Sequence, residues 1–432
     1  MKYSLLLSTL VASFSLYCPQ LAQSEESHEG HDHDHAGHDH GSHNPAEDAS
    51  DDHAGHGHDN SNALVLNDAA PGFVTANFYI IGTAGAFESG SEAGDFATTE
   101  HDPLGDAVFQ GLDLNLDFHF NEAVGAKVSG FGHEGEEEWE YELEEAKLEV
   151  VLNDNLTITA GQFLTAFGSQ NEKHLHAWDF VNSNLADARM LNEAELVTRG
   201  AGFTFSPSGN GGAGSLFTFE IGEANSHAHA HGEEEEEGEE EEGEDHFHAD
   251  EGGIEGNLLS LDVDVPLPTD ENLIFTGSFA IGENGFGRNT VAYGFGARKI
   301  FNGCFVDGHC TSHSLGSGAL LLRGDFIGRQ VNGAFESGAL GDFNDYGFSA
   351  SALYGLSDDL TLGFRYGWVS DVDVAEIASR HRFSTAATGR FGPNNMVSAR
   401  VQYDYNHSDD LASEHVAWLQ LTVHLSNHYH SH

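Results

Sequence analysis

The sequence predicts an all-β chain: a transmembrane antiparallel β-barrel of about sixteen strands behind a disordered histidine-rich tail. Three observations carry this expectation. From Phe73 onward apolar and polar residues alternate with a period of two, most cleanly in Leu112-Asp113-Leu114-Asn115-Leu116-Asp117-Phe118-His119-Phe120. A strand with lipid on one side and water on the other needs that pattern, and a soluble sandwich rarely sets aspartates against so complete an apolar face. Beyond the N-terminus no stretch approaches the roughly eighteen consecutive apolar residues of a membrane helix. The alternating runs are short and punctuated by Gly, Asn and Asp, with 52 glycines in 432 residues, and helical periodicity is missing.

Taken in order, residues 1–22 read as a secretory signal, with Lys2 before the apolar run from Leu5 to Leu16. Cys18 belongs to that segment. Residues 23–70 form the tail. It interleaves His28, His31, His33, His35, His38, His40, His43, His53, His56 and His58 with Asp, Glu and Gly. With almost nothing apolar to bury it cannot offset its ordering entropy and should be disordered. Neutral imidazoles on a flexible chain bind divalent metals, zinc foremost, with copper and nickel chemically eligible.

Residues 71–432 are the expected barrel. Strands should begin near Gly72, Phe109, Ala123, Trp139, Leu156, Val197, Ser215 and Asn257. The second half continues near Leu273, Val291, Gly318, Asp345, Leu360, Arg382, Met396 and His415. Connections at Asn121-Glu122, Asn153-Asp154-Asn155, Pro268 to Asn272, Ser357-Asp358-Asp359 and Gly392 to Asn395 are short, and the intervening ones are mostly longer and richer in acids or His. Short turns at one end and long loops at the other are the outer-membrane pattern, which places both termini in the periplasm. The chain ends His428-Tyr429-His430-Ser431-His432, whereas barrels of this type commonly end on an aromatic residue.

The connection between the fifth and sixth strands stands apart. It leaves Gly161-Gln162-Phe163, passes Phe167-Gly168 and His174-Leu175-His176-Ala177-Trp178-Asp179-Phe180-Val181, and returns at Val197-Thr198-Arg199-Gly200. A connection of about thirty residues without strong periodicity tends to be functional. It is expected to fold over or into a pore, with His174 and His176 as candidate metal ligands and Glu172, Asp179 and Glu193 able to complete a site. These forty or so residues resemble the porin-sized zinc-regulated outer-membrane receptors, which are more distantly similar to the phosphate-selective O/P porins. The resemblance implies an outer-membrane channel handling zinc. That family is often described as TonB-dependent, but such a receptor needs a plug domain and about twenty-two strands. Only the histidine tail precedes the first strand, so passive or binding-assisted diffusion is expected.

Net charge is −55, from 71 acids against 16 bases. That excludes nucleic acid as a partner and favours cations. Much of it lies in a loop at 223–256, carrying His227, His229, His231, runs of glutamate, then His246 and His248. By the turn count this loop is extracellular, and such a block repels itself unless cations bridge it. Calcium or magnesium on its carboxylates is one alternative and a merely solvated loop another. His133 with Glu134 and Glu136 to Glu138, and His101 with Asp102, form smaller versions.

Lumen-facing positions put Asp113, Asp117, His119, Glu142, Glu144, Asp262 and Asp264 on early and middle strands and Arg323, Arg365, Arg382, Arg390 and Arg400 on later ones. Opposed charge walls of this kind suit a pore, and an arginine wall suits anions. Cys304 and Cys310 read most simply as a disulfide, with a metal pair alongside His309 and His313 as the alternative. No nucleophile–base arrangement, HExxH, nucleotide loop or CxxC appears, so no enzymatic activity and no cofactor is expected. The expected function is an outer-membrane channel that collects a divalent metal, zinc before others, and lets it cross into the periplasm. A homotrimer in outer-membrane lipid is one arrangement such a barrel could take. The alternative is a general or phosphate-selective porin whose acidic loops only solvate.

Overall fold

A computed structural model describes residues 73–87, 96, 99, 101–103, 107–134, 139–192, 195–207, 214–225, 250–303, 315–335, 339–375 and 377–426. The tail with His31, His33, His35, His38 and His40, the loop histidines His227, His229, His231, His246 and His248, and Cys304 and Cys310 all lie outside the described residues.

Sixteen strands follow one another around a closed antiparallel barrel. They are β1 (Phe73–Phe87), β2 (Ala107–Asn121), β3 (Val124–Glu134), β4 (Trp139–Asn153), β5 (Leu156–Leu164) and β6 (Val197–Phe205). Next come β7 (Leu216–Asn225), β8 (Asn257–Leu267), β9 (Asp270–Glu283), β10 (Asn289–Phe301) and β11 (Leu320–Ala334). The set ends with β12 (Leu340–Ser357), β13 (Leu360–Val369), β14 (Arg380–Phe391), β15 (Val397–Ser408) and β16 (Glu414–Ser426). β16 closes on β1, with Asn77 opposite Ser426 and Phe87 opposite Val416.

The expected starts agree with these to within two residues except for β9 and β12, which begin earlier, at Asp270 and Leu340. The physical reason is the same in both. Backbone pairing continues past the apolar band, as where Ala334 still faces Leu340 and Leu267 faces Asp270, and the side-chain alternation reports only the band. Phe275, Phe295, Phe364, Phe383, Val401, Leu419 and Leu421 point outward and are exposed, the surface that lipid hydrocarbon covers in a barrel of this kind.

Short turns gather at one end. Asn121 Oδ1 accepts from the Ala123 amide at 2.9 Å and Asn153 Oδ1 from the Asn155 amide at 2.9 Å, which is why Asn starts these turns. At the other, loop end, residues 165–192 and 195–196 turn inward and occupy the lumen. Where this loop departs, Gly161, Gly200 and Gly222 stand opposite one another across β5, β6 and β7. A Cβ on Gly200 would lie 2.1 Å from the Ile221 carbonyl oxygen, so only glycine lets these backbones approach so closely.

Candidate functional site

The inward loop is built in three parts. A 3-10 turn, Leu175–Ala177, presents the two histidines; an irregular run carries Asp179 to Ser183; and a short helix, α1 (Leu185–Met190), follows. Asn184 starts α1 by accepting from the Ala186 amide at 3.1 Å. One side of the loop is apolar. Phe167, Leu185, Ala186, Met190, Leu191 and Leu196 bury themselves against Leu258, Ala280, Ala292, Ile327 and Val369 of the wall. Phe180 meets Leu315, Leu321 and Leu353 lower down. Burial of this size explains why a loop of polar composition takes one conformation.

The base is locked by Asn171. Its amide donates to the Thr165 carbonyl at 2.7 Å and the Leu196 carbonyl at 2.9 Å, and its oxygen accepts from the Leu196 amide at 2.8 Å. Farther in, the arginines of the later strands hold the loop's backbone. Arg365 donates to the Asn182 and Ser183 carbonyls at 2.9 and 3.0 Å, Arg382 to the Ser183 carbonyl at 3.1 Å, and Arg400 to the Trp178 carbonyl at 2.7 Å. Arg323 pairs with Asp179. Gln402 Oε1 accepts from the Val181 amide at 2.8 Å, and Asp404 accepts from Asn182 at 3.0 Å. Four of the five expected arginines, Arg323, Arg365, Arg382 and Arg400, therefore grip the loop, whereas Arg390 donates to the Asp358 carbonyl at the short-turn end. Arg400 is buried beneath the loop, not open to the lumen as expected of a pore-lining group.

The histidines lie against the opposite, acidic wall. His174 Nδ1 lies 3.1 Å from a Glu144 carboxylate oxygen, and Nε2 is hydrogen-bonded with Glu145 at 2.8 Å, with the Lys127 ammonium 3.1 Å from the same nitrogen. Lys127 pairs with Glu145 at 2.5 Å and Lys147 with Glu145 at 2.9 Å. His176 pairs with Asp113 through Nδ1, and its ring stacks on Tyr79 at 3.9 Å, with His424 on that tyrosine's other face at 4.4 Å. Burial alone would push His174 toward neutrality, but the charge of Glu144 and the hydrogen bonds to both glutamates outweigh it and raise the group to about 10. The two glutamates thus favour the protonated ring, against the nearby charge of Lys127. For His176 burial prevails over Asp113 and lowers it.

Other expected partners fall elsewhere. Asp179 faces Arg323, and Glu172 is raised well above its ordinary value by burial and by the charges of Asp262 and Glu220 on the far wall. Neither joins the histidines. His101 and Asp102, expected among cation-collecting loop residues, are buried: His101 pairs with Glu195 at 2.7 Å, and Asp102 accepts from the Ser183 amide at 2.7 Å. Asp117 stands opposite Lys127 and His119 opposite Gly125, nearer the turn end. Sequence reasoning missed Glu145, because strict alternation from Glu142 and Glu144 turns it outward. The ladder instead shifts register between Ser129 and Phe131, and both Glu144 and Glu145 reach the lumen. The signal was present: the charged residues of β4 change phase from 140, 142 and 144 to 145, 147 and 149.

Between the loop and β11–β13 a small gap remains. Asp179, Phe180 and Asn182 of the loop line one side, and Arg323, Asp325, Ser349 and Arg365 the other. Lys173 is lowered to about 8 by burial and by Arg323, against the pull of Asp179.

No family model matches the chain, and no curated protein matches it. Solved structures do. The outer-membrane channel DcaP of Acinetobacter baumannii is 11% identical with a TM-score of 0.54, over 82% of this chain and all of that one. OmpF of Salmonella typhi, solved with daunomycin, is 10% identical with a TM-score of 0.51, over 82% of this chain and 98% of its own. An anion-selective porin from Comamonas acidovorans is 9% identical with a TM-score of 0.50, over 82% and 99%. At such identity the likeness is one of fold: this chain has the sixteen-strand barrel of outer-membrane porins.

Proposed function

We propose that the protein is an outer-membrane channel for passive diffusion of small polar solutes, with residues 165–196 as its constriction. The observation that carries this is the gap beside the loop, lined by Arg323 and Arg365 across from Asp179 and by Asp325. Arg323 is paired with Asp179, and Arg365 and Asp325 add one charge of each sign to the lining, so the bore presents polarity with little net field. That favours general diffusion over phosphate selection, since the arginines already hold carbonyls and a carboxylate. The outer apolar surface supports membrane insertion, and the porin fold supports the outer membrane as its place.

Single-channel recording of the purified full chain in a planar bilayer tests the reading. A small ohmic conductance that rises when the loop is shortened is expected. A wild-type barrel that never conducts, beside a loop-shortened one that does, would make the loop a plug and end the diffusion reading.

A second reading, collection and passage of zinc, is favoured by the sequence: 29 histidines and 71 acids against 16 bases. The strands flanking the His/Glu-rich segment, β7 and β8, open toward the loop end, so entering cations would meet it first. Zinc flux into liposomes carrying a fluorescent chelator decides it. Entry no faster than through the same channel lacking residues 226–249 removes this reading.

A further inference from the structure

At the loop end of the β3–β4 hairpin, three side chains converge. His133 and Glu140 are directly opposite in the ladder, and His133 Nε2 is 3.4 Å from Glu140 Oε2. Glu142 lies two residues farther along β4, on the same face, opposite Phe131. One ligand atom from each of the three lies within 4.8 Å of the others. Among the described residues this is the one such group.

We propose that His133, Glu140 and Glu142 form a divalent-metal site at this rim, suited to a borderline dication such as Zn²⁺. The chemistry follows from the donors. An imidazole nitrogen and two carboxylate oxygens within 4.8 Å of one another are a donor set that a borderline dication takes. Tetrahedral zinc with bonds of about 2.0–2.2 Å needs donor atoms roughly 3.3 Å apart. His133 and Glu140 already stand at 3.4 Å, and Glu142 closes the remainder by side-chain rotation. An imidazole donor disfavours calcium and magnesium, which prefer all-oxygen shells.

The surroundings suit a site that loads from water. The His133 side chain is 7% exposed, with its ring against Phe131, so one donor is held in place. Glu140 is 40% exposed, which leaves an entry path and room for water as a further ligand. The intervening residues, Gly135 and Glu136 to Glu138, add acidic residues beside it in sequence. The site sits apart from the gap that carries the diffusion reading, and it holds whether or not the barrel conducts.

Zinc-edge anomalous diffraction from crystals of the full chain, soaked in millimolar zinc chloride, tests this directly. A peak within bonding distance of His133, Glu140 and Glu142 is expected, and it disappears in the near-isosteric double variant E140Q/E142Q while the barrel's diffraction is retained. A wild-type crystal without a peak there overturns the proposal, whether or not zinc is found elsewhere. So does a peak that survives the double substitution.

Discussion

Glu144 and Glu145 are consecutive on β4, yet both face the lumen, where their carboxylates lie 3.1 and 2.8 Å from opposite ring nitrogens of His174. A regular strand sends neighbouring side chains to opposite faces. The register shift between β3 and β4 removes that rule at one place. The chain thereby gains a two-armed acidic socket for the tip of the loop, while the arginines of β11, β13, β14 and β15 hold the loop from across the barrel.

Breaking the socket should loosen the constriction without unfolding the barrel. In Glu145→Gln, Lys127 and Lys147 lose the carboxylate they share, and His174 loses one of its two. Removing one partner of a buried pair costs roughly 3–5 kcal/mol. Single-channel recordings should show a larger and noisier conductance, with heat-modifiable migration on gels unchanged. Conductance identical to the wild type would mean that the socket does not hold the loop.

Docking should also depend on pH, and the sign follows from His174. Its value rises from 6.5 to about 10 in the folded protein, so the protonated form is the one the fold favours. Its contribution is fully present below pH 6.5, declines above it, and is lost as pH passes about 10. Fluorescence of Trp178, followed in a variant lacking the other tryptophans, should shift to the red as pH climbs toward that value. The shift should be absent in a second variant that also carries His174→Asn.

Arg365 bonds two consecutive loop carbonyls, Asn182 and Ser183, and its guanidinium lies 4.5 Å from the Phe180 ring. Arg365→Ala takes this donor from the Asn182 carbonyl at a cost of about 1–3 kcal/mol, while Arg382 still serves the Ser183 carbonyl, and it also enlarges the gap. Conductance should increase, with the reversal potential moving toward cation preference as a lumen cation is removed. Movement toward anion preference would contradict the assignment of this gap as the path that solutes take.

The glycine row is a test of the wall itself. Gly200→Val sets a branched side chain against the Ile221 carbonyl, where even a Cβ would lie at 2.1 Å. Overpacking of this kind costs about 1–3 kcal/mol or more. The yield of folded, heat-modifiable barrel should fall sharply. Gly277→Ala, where a Cβ meets nothing within 4 Å, should fold as the wild type does.

The fold was legible because lipid and water act on each strand locally. Leu112 to Phe120 must alternate wherever it sits in the barrel, and the Asn and Ser turns must be tight, so the strand starts could be read without knowing any neighbour. Where the pattern misled, at Glu145, a bulge had broken the period. At Leu340 and Asp270 the backbone ladder outran the apolar band.

The chain's own order of residues thus determined a sixteen-strand barrel with a long inward candidate loop, and which side chains face inward on most strands. Only closure of the barrel decided what the loop touches. His174 meets Glu145 across 29 residues, Ser183 meets Asp102 across 81, and Val181 meets Gln402 across 221. Such partners share no local periodicity. They come together because β16 pairs with β1, bringing the acidic wall of the early strands and the arginine wall of the later ones around one lumen. Which charges are paired, and which remain to line the gap, follows from that distance in space and not from spacing along the chain.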